Sequence, residues 1–475
     1  MKKKEKGLGA LQITMMALGS VIGGSFFLGS SVAIQSAGPS ILIGFIFGGI
    51  LAYYILFALS EMTVANPDSG SFRTFAAEAF GKGTGFVVGW VYWTGMVLAM
   101  SSEATAVSIL MHAWFPKIPI ALMGSAIIVG VTLLNLLGAS KLSKLESGLA
   151  AVKLFAIVSF IVIAVLLVIG LFPGSKAVGI GEIAKEPLLP DGFSGLAGSM
   201  LIVMFTYAGF EIIGLTASEA ENPKETIPKA IRYTVISIVT LYILSILALL
   251  PLIPTANLNA KTSPIVAALN RQGIGWAGTA LNIVLITAIL STMLAAMFGL
   301  GRMMRSLASE EFAPVWLKDK RDVPYRGILA SGLAMLLALG LGLLFPSVYL
   351  FLISSGGFAI LFSYIVIMAT HIRFRKKHGC PDGNCKLGGF PYTSLFVLLS
   401  LIATLFSMPF VKGQSSGLIT GGIIVVFYAL SYLVLRSYRQ NKNSAYYKLN
   451  KLNATLLTEF SEELSKVKKE DEEKK

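Results

Sequence analysis

Gly19-Ser20-Val21-Ile22-Gly23-Gly24-Ser25-Phe26 interrupts an apolar run near the start of the chain. Three glycines and two serines in eight residues do not serve the stability of a membrane helix. Glycine weakens a helix interior and lets the backbone approach another group closely. Non-helical backbone at bilayer depth is tolerated only where it is buried in protein or lines a cavity. A second interruption stands far downstream, at Thr206-Tyr207-Ala208-Gly209-Phe210. Helices broken at the midplane are how many transporters present free N–H and C=O groups to a substrate.

Composition agrees with a membrane setting. Of 475 residues, 55% are hydrophobic and only 13% charged, and the mean hydropathy is +0.75. Those values lie outside the range of soluble domains. Apolar runs of roughly 20 residues, enough to cross the hydrocarbon core, recur about twelve times. They fall near 11–35, 41–65, 84–113, 119–139, 147–172, 195–219, 231–253, 276–300, 327–345, 349–371, 392–410 and 417–436. No small-residue cleavage site closes the first run, which is too long for a signal-peptide core, so it is read as retained.

The formal net charge of +14 is one-sided. With the N-terminus inside, alternate loops hold Arg73 and Lys82, Lys141 and Lys144, Lys224 to Arg232, Arg302 to Arg326, and Arg373 to Lys386. The opposite loops carry only isolated cations such as Lys117 and Lys176. Lysine and arginine mark the cytoplasmic side, which places both termini there. The excess charge is topology, and no nucleic-acid partner is expected. Cys380 and Cys385, with His378 and His371 nearby, have some look of a zinc site. Structural zinc wants four well-spaced ligands, and His371 belongs to a helix end, so no metal or other cofactor is expected.

Ionisable side chains within spans are costly in lipid and mark function by default. Glu103 stands within the third span and Lys153 within the fifth. Glu211 follows the second break. Glu61 and Glu219 end spans two and six, and both are read as interfacial. At the breaks the chemistry is that of the backbone. Free N–H groups suit a carboxylate, and free carbonyls suit an ammonium. One site with both binds a zwitterion such as an α-amino acid. Phe205, Tyr207 and Phe210 offer an aromatic wall or ordinary packing.

Five spans separate the two breaks, which fits two five-helix repeats of opposite orientation with two spans added. The expected fold is therefore an all-α integral membrane protein of about twelve transmembrane helices, with helices one and six broken. Its segments are a cytoplasmic stretch 1–10, a transmembrane domain 11–436 and a charged cytoplasmic tail 437–475. The repeats occupy about 11–172 and 195–371, and the extra helices 392–436. The tail reads equally as a surface amphipathic helix or a solvated segment.

Several stretches resemble the amino acid permeases of the amino acid–polyamine–organocation superfamily. Gly19 to Gly29, with Ala37-Gly38-Pro39, is similar to their first span. Asn66-Pro67-Asp68-Ser69-Gly70-Ser71-Phe72 resembles the loop after their second. The most specific stretch runs from Tyr207 through Glu219-Ala220-Glu221-Asn222-Pro223 to Ala230 and resembles span six and its following loop in the bacterial and fungal branch. Gly301-Arg302-Met303-Met304-Arg305, then Ala313-Pro314, resembles the loop after span eight.

That resemblance implies a site at the breaks. Ser20, Val21, Ile22, Gly23 and Gly24 would take the substrate carboxylate. Phe205, Thr206, Tyr207, Ala208 and Gly209 would supply carbonyls and an aromatic gate. Glu103 matches a glutamate of span three and is counted with the substrate-binding residues, where it would tolerate a cationic side chain. Lys153 falls where many members carry a lysine in place of the sodium ion of distant relatives, which implies proton coupling. Gly23-Gly24-Ser25 departs from the pattern glycine, small hydroxyl, glycine, and shifts the hydroxyl by one position.

The function expected is import of amino acids across the plasma membrane by alternating access, with protons as the coupled partner and the bilayer as the setting. Exchange without proton coupling is the alternative within transport, and a permease-like nutrient sensor the alternative outside it. An enzyme would need a nucleophile, a metal cluster or a close carboxylate pair at the membrane face, which three histidines, two cysteines and scattered carboxylates do not suggest. The topology has a direct test. A membrane-impermeant maleimide should label Cys380 and Cys385 only in inverted vesicles or lysed cells, and labelling of intact cells would reverse the orientation.

Overall fold

The protein is described by a computed structural model covering residues 7–65, 72–215, 220–319, 323–379 and 387–440. Cys380 and Cys385, Glu219 and the tail from 441 onward lie outside the described residues. The chain divides into two compact units, 1–424 and 425–475. Residues 425–440 of the second complete a helix that starts at Ser415. The first unit holds both interruptions.

The described residues form helices joined by loops. In chain order these are α1 (Ala10–Val21), α2 (Ser30–Ala37), α3 (Ile41–Ala65), α4 (Phe72–Phe80), α5 (Lys82–His112), α6 (Ile120–Asn135), α7 (Ala139–Ile169) and α8 (Gly192–Thr206). They continue as α9 (Ile212–Leu215), α10 (Pro223–Leu249), α11 (Pro264–Arg271), α12 (Gly275–Ser309), α13 (Tyr325–Gly342), α14 (Val348–His378) and α15 (Tyr392–Ser407). Among the described residues, nine helical stretches are long and apolar enough to cross a bilayer, and three apolar helices are shorter. Two of the short ones, α1 and α8, are short because each stops at a break.

Each apolar run of the sequence holds a helix, but the ends move. Pro223 opens α10 eight residues ahead of the run expected from 231, because proline is favoured in a first turn. At the other end, α14 continues through Arg375, Lys376, Lys377 and His378. Cations in a last turn offset the negative end of the helix dipole. Gly38, at φ +61°, and Pro39 turn the chain from α2 into α3.

The surface and interior reverse the pattern of a soluble protein. Ile43, Ile46 and Ile50, and Leu329, Leu333, Leu337 and Leu341, recur at helical spacing and stand exposed. Glu61, Arg73, Glu103, Lys153, Glu211 and His371 are buried. Such a molecule is built to sit in lipid. Inside, α5 and α14 press together through small residues: a Cβ on Gly95 would lie 2.6 Å from that of Ala359.

The structure corrects one expectation from the sequence. Glu61, near the end of α3, lies beside a loop residue but does not reach the surface: it is fully buried. Its carboxylate accepts from the Arg375 guanidinium of α14 and, at 2.8 Å, from Leu387 N. His371 Nε2 lies 3.4 Å away, and His371 Nδ1 is 3.2 Å from Ser394 Oγ of α15. Because α14 runs on through Arg375, a cation expected in a loop turns inward. Arg73 is a second such case. It leaves α4 to pair with Glu310 at 2.6 and 2.7 Å and with Ser306 at 3.0 Å.

Ahead of α1, Leu8 forms a parallel bridge with Ala220. Glu221 N donates to Leu8 O at 3.1 Å. On the other face, Arg271 of α11 donates to Glu182 at 3.0 Å and, with Lys185, holds that carboxyl below the usual range.

Removing one partner of a buried ion pair leaves the other charge uncompensated. Arg375→Met should cost about 3–5 kcal/mol of stability. Its unfolding in detergent should report this, and the double variant Glu61→Gln/Arg375→Met should recover part of the loss.

Candidate substrate site at two helix breaks

Helix α1 ends at Val21, Ile22 is extended with φ −77° and ψ 100°, and the helix resumes as a wide π turn over Ser25–Gly29. Helix α8 ends at Thr206, and α9 begins only at Ile212. Both departures fall at the two interruptions singled out in the sequence. They also meet: Ser20 Oγ donates to Gly209 O at 3.2 Å. Gly209 has φ +104°, and a Cβ there would lie 2.9 Å from Ser20 O. Glycine supplies both the left-handed backbone and the close approach.

A broken helix frees donors and acceptors that must be met in a dry interior. Lys153 Nζ, on α7, donates to Gly19 O at 2.6 Å and to Thr292 Oγ1 at 2.7 Å. Thr292, on α12, donates in turn to Ile22 O at 3.0 Å. Tyr349, on α14, donates to Gly24 O at 3.3 Å. Glu103, on α5, accepts from Gly24 N at 2.6 Å and from Ser25 N at 3.3 Å. The carboxylate on the first break is thus the protein's own, at Gly24 N, one of the donors expected for a substrate carboxylate, and at Ser25 N. Lys153 does not snorkel to the surface; it is fully buried.

The second break is closed in a parallel manner. Glu211 accepts from Gly209 N at 2.9 Å, from Tyr92 Oη of α5 at 2.9 Å and from Tyr364 Oη of α14 at 3.2 Å. Tyr242 of α10 donates to Thr206 O at 3.1 Å. Tyr207 turns toward α3, donating to Phe45 O at 2.7 Å, while Phe205 is buried and Ala208 is half-buried. Phe210 stacks on Tyr364 with ring centres 5.1 Å apart. The aromatic pair beside the first break is instead Phe26 on Tyr242, at 3.9 Å and nearly parallel. Phe26 also lines a small cleft with Ser30, Ile34, Ser245, Leu249 and Ile265.

The structure therefore gathers Ser20 to Gly24, Glu103, Lys153, Thr206 and Gly209 around the two breaks. It adds Thr292, Tyr349, Tyr242 and Tyr92, which carry no signal in a single sequence because a hydroxyl in a span is unremarkable. Glu211 did carry one, as a charge inside a span beside a break.

Comparison with known proteins settles the family. The profile described as "Amino acid permease" matches residues 12–446. The chain belongs to the amino acid permease family. It is 31% identical over 448 residues to the gamma-aminobutyric acid permease of Bacillus subtilis (strain 168), covering 93% of this chain and 96% of that one. It is 35% identical over 375 residues to the aromatic amino acid transport protein AroP of Escherichia coli (strain K12), covering 78% and 82%. This permease is accordingly a multi-pass membrane transport protein and not an enzyme.

At Gly24 a Cβ would lie 2.6 Å from Glu103 Oε2 and 3.2 Å from the Ala106 Cβ. Gly24→Val should put a side chain over the Gly24 and Ser25 N–H groups, block the approach of a carboxylate and abolish substrate binding, measured by thermal shift, while the protein still inserts and purifies. Normal binding by that variant would reduce the first break to a packing device.

Proposed function

We propose that this permease imports amino acids across the plasma membrane by proton-coupled symport. The substrate sits between the two breaks, and access alternates between the faces of the membrane. Twelve spans, arranged as two inverted five-helix repeats with two added helices and both termini cytoplasmic, form the frame of this reading. The substrate is a zwitterion with one carboxylate and one ammonium. The relatives' names, for gamma-aminobutyric acid and for aromatic amino acids, point to molecules of that kind.

The observation that carries the reading is a buried cation and a buried carboxylate on the two sides of one break. Lys153 holds Gly19 O, and Glu103 holds Gly24 N. Substrate charges have like-signed protein groups at the same backbone donors and acceptors, so binding and the ionisation of those groups are linked. Charged Lys153 donates to the freed carbonyl and ties α7 to α1. Neutral Lys153 loses that charge-assisted bond, which is the stronger kind, and the two elements part more readily. A proton taken from one side and given up on the other would then bias which face is open, without sodium.

A thermal-shift screen of the purified protein against the twenty amino acids and gamma-aminobutyric acid tests the substrate class, because a ligand of the native state raises apparent stability. Failure of every compound to stabilise the protein or to be taken up would overturn the reading. Uptake by wild type should rise as external pH falls and should not respond to sodium. Lys153→Ala should lose accumulation driven by an inward proton gradient yet retain some substrate binding. Accumulation that survives in that variant would remove Lys153 from the coupling role. Uptake only into vesicles preloaded with unlabelled amino acid, indifferent to pH, would identify an exchanger instead.

A further inference from the structure

We infer that Glu103 is a tethered stand-in for the substrate carboxylate: it fills the N–H pair of Gly24 and Ser25 when the carrier is empty and yields that pair when substrate arrives. The inference rests on the carrier reading above.

The geometry has three parts. Glu103 offers the same chemistry as the substrate, a carboxylate set on two backbone donors at 2.6 and 3.3 Å. It reaches them from the middle of α5, an unbroken helix of 31 residues. Only the side chain therefore needs to swing for the donors to be released. The seat is also cut to its shape. A Cβ on Gly23 would lie 3.2 Å from Glu103 Oε1, and one on Gly24 would lie 2.6 Å from Oε2. Finally, the facing groups of the other packed elements are already engaged with the break. Lys153 of α7 holds Gly19 O, Thr292 of α12 holds Ile22 O, and Tyr349 of α14 holds Gly24 O. Glu103 is the group on the donor side.

A physical need makes this arrangement useful. A buried N–H left without an acceptor costs about 1–3 kcal/mol. A carrier that always travels loaded never meets that cost, because substrate covers the donors in each passage. A carrier that performs net import must return empty, through a closed state in which water is excluded. Glu103 supplies an acceptor for that passage. Two carboxylates cannot occupy one donor pair, so substrate binding and the seated Glu103 exclude each other.

The test separates the empty passage from the loaded one. Full-length wild type, Glu103→Asp and Glu103→Ala are reconstituted in vesicles. Asp keeps the charge opposite Lys153 but withdraws the carboxylate by one methylene; Ala removes it. Labelled L-phenylalanine and γ-aminobutyric acid are the probes. Net uptake into substrate-free vesicles should fall about 5- to 150-fold in both variants, the effect of one unmet buried donor. Exchange against unlabelled probe inside should fall much less than net uptake, so that the ratio of exchange to net uptake rises, and its survival also shows that the variant is folded. If exchange falls together with net uptake, Glu103 binds substrate directly and the inference is wrong. It is equally wrong if both rates are unchanged. A variant too unstable to exchange would assign Glu103 a structural role and overturn it as well. Wild type that moves neither probe in either assay would overturn the carrier reading, and this inference with it.

Discussion

A backbone that leaves the helix inside a membrane must find partners for every group it frees. Water is not there to help, and an unmet donor or acceptor is expensive. In this protein the demand is concentrated at two places, Val21–Ser25 and Thr206–Ile212. The helices around them supply the answers: α5 gives Glu103 and Tyr92, α7 gives Lys153, α10 gives Tyr242, α12 gives Thr292 and α14 gives Tyr349 and Tyr364. Five helices are thus committed to two short stretches of irregular chain. The rest of the bundle is arranged so that those side chains arrive in register.

The same demand explains the placement of charge. Buried ionisable groups are normally a liability, because burying an ion costs more than one partner returns. Here five of them meet broken backbone or a charge from a distant element. Glu103, Lys153 and Glu211 saturate broken backbone. Glu61 with Arg375, and Arg73 with Glu310, join elements distant in sequence near the ends of the spans. The apolar residues that a soluble protein would hide are turned outward, and they need no partner beyond lipid.

Much of this was legible in the sequence. Hydropathy located the helices because a crossing has a fixed length. Glycine located both breaks because other residues are disfavoured in a left-handed or closely approached backbone, as Gly209 and Gly24 show. Glu103 and Lys153 announced themselves as charges inside apolar runs. The residues that answer the breaks did not, because Thr292, Tyr349 and Tyr242 matter only through where packing points them. The burial of Glu61 was hidden for a related reason. Its position along α3 is near an end, but its surroundings depend on how far α14 extends, and hydropathy marks α14 only to about residue 371. The helix continues because a run of cations suits its final turn.

The bridge between Leu8 and Ala220 has a mechanical meaning. Leu8 leads straight into α1, and Ala220 leads into the start of α10. The splice therefore pins the entry of the first broken helix to the chain that leaves the second. A pull on one is transmitted to the other over a few backbone atoms. The joint also leaves little slack: a Cβ on Gly7 would lie 2.7 Å from the backbone of Glu221. Gly7 and Leu8 are thus part of the joint between the two stretches.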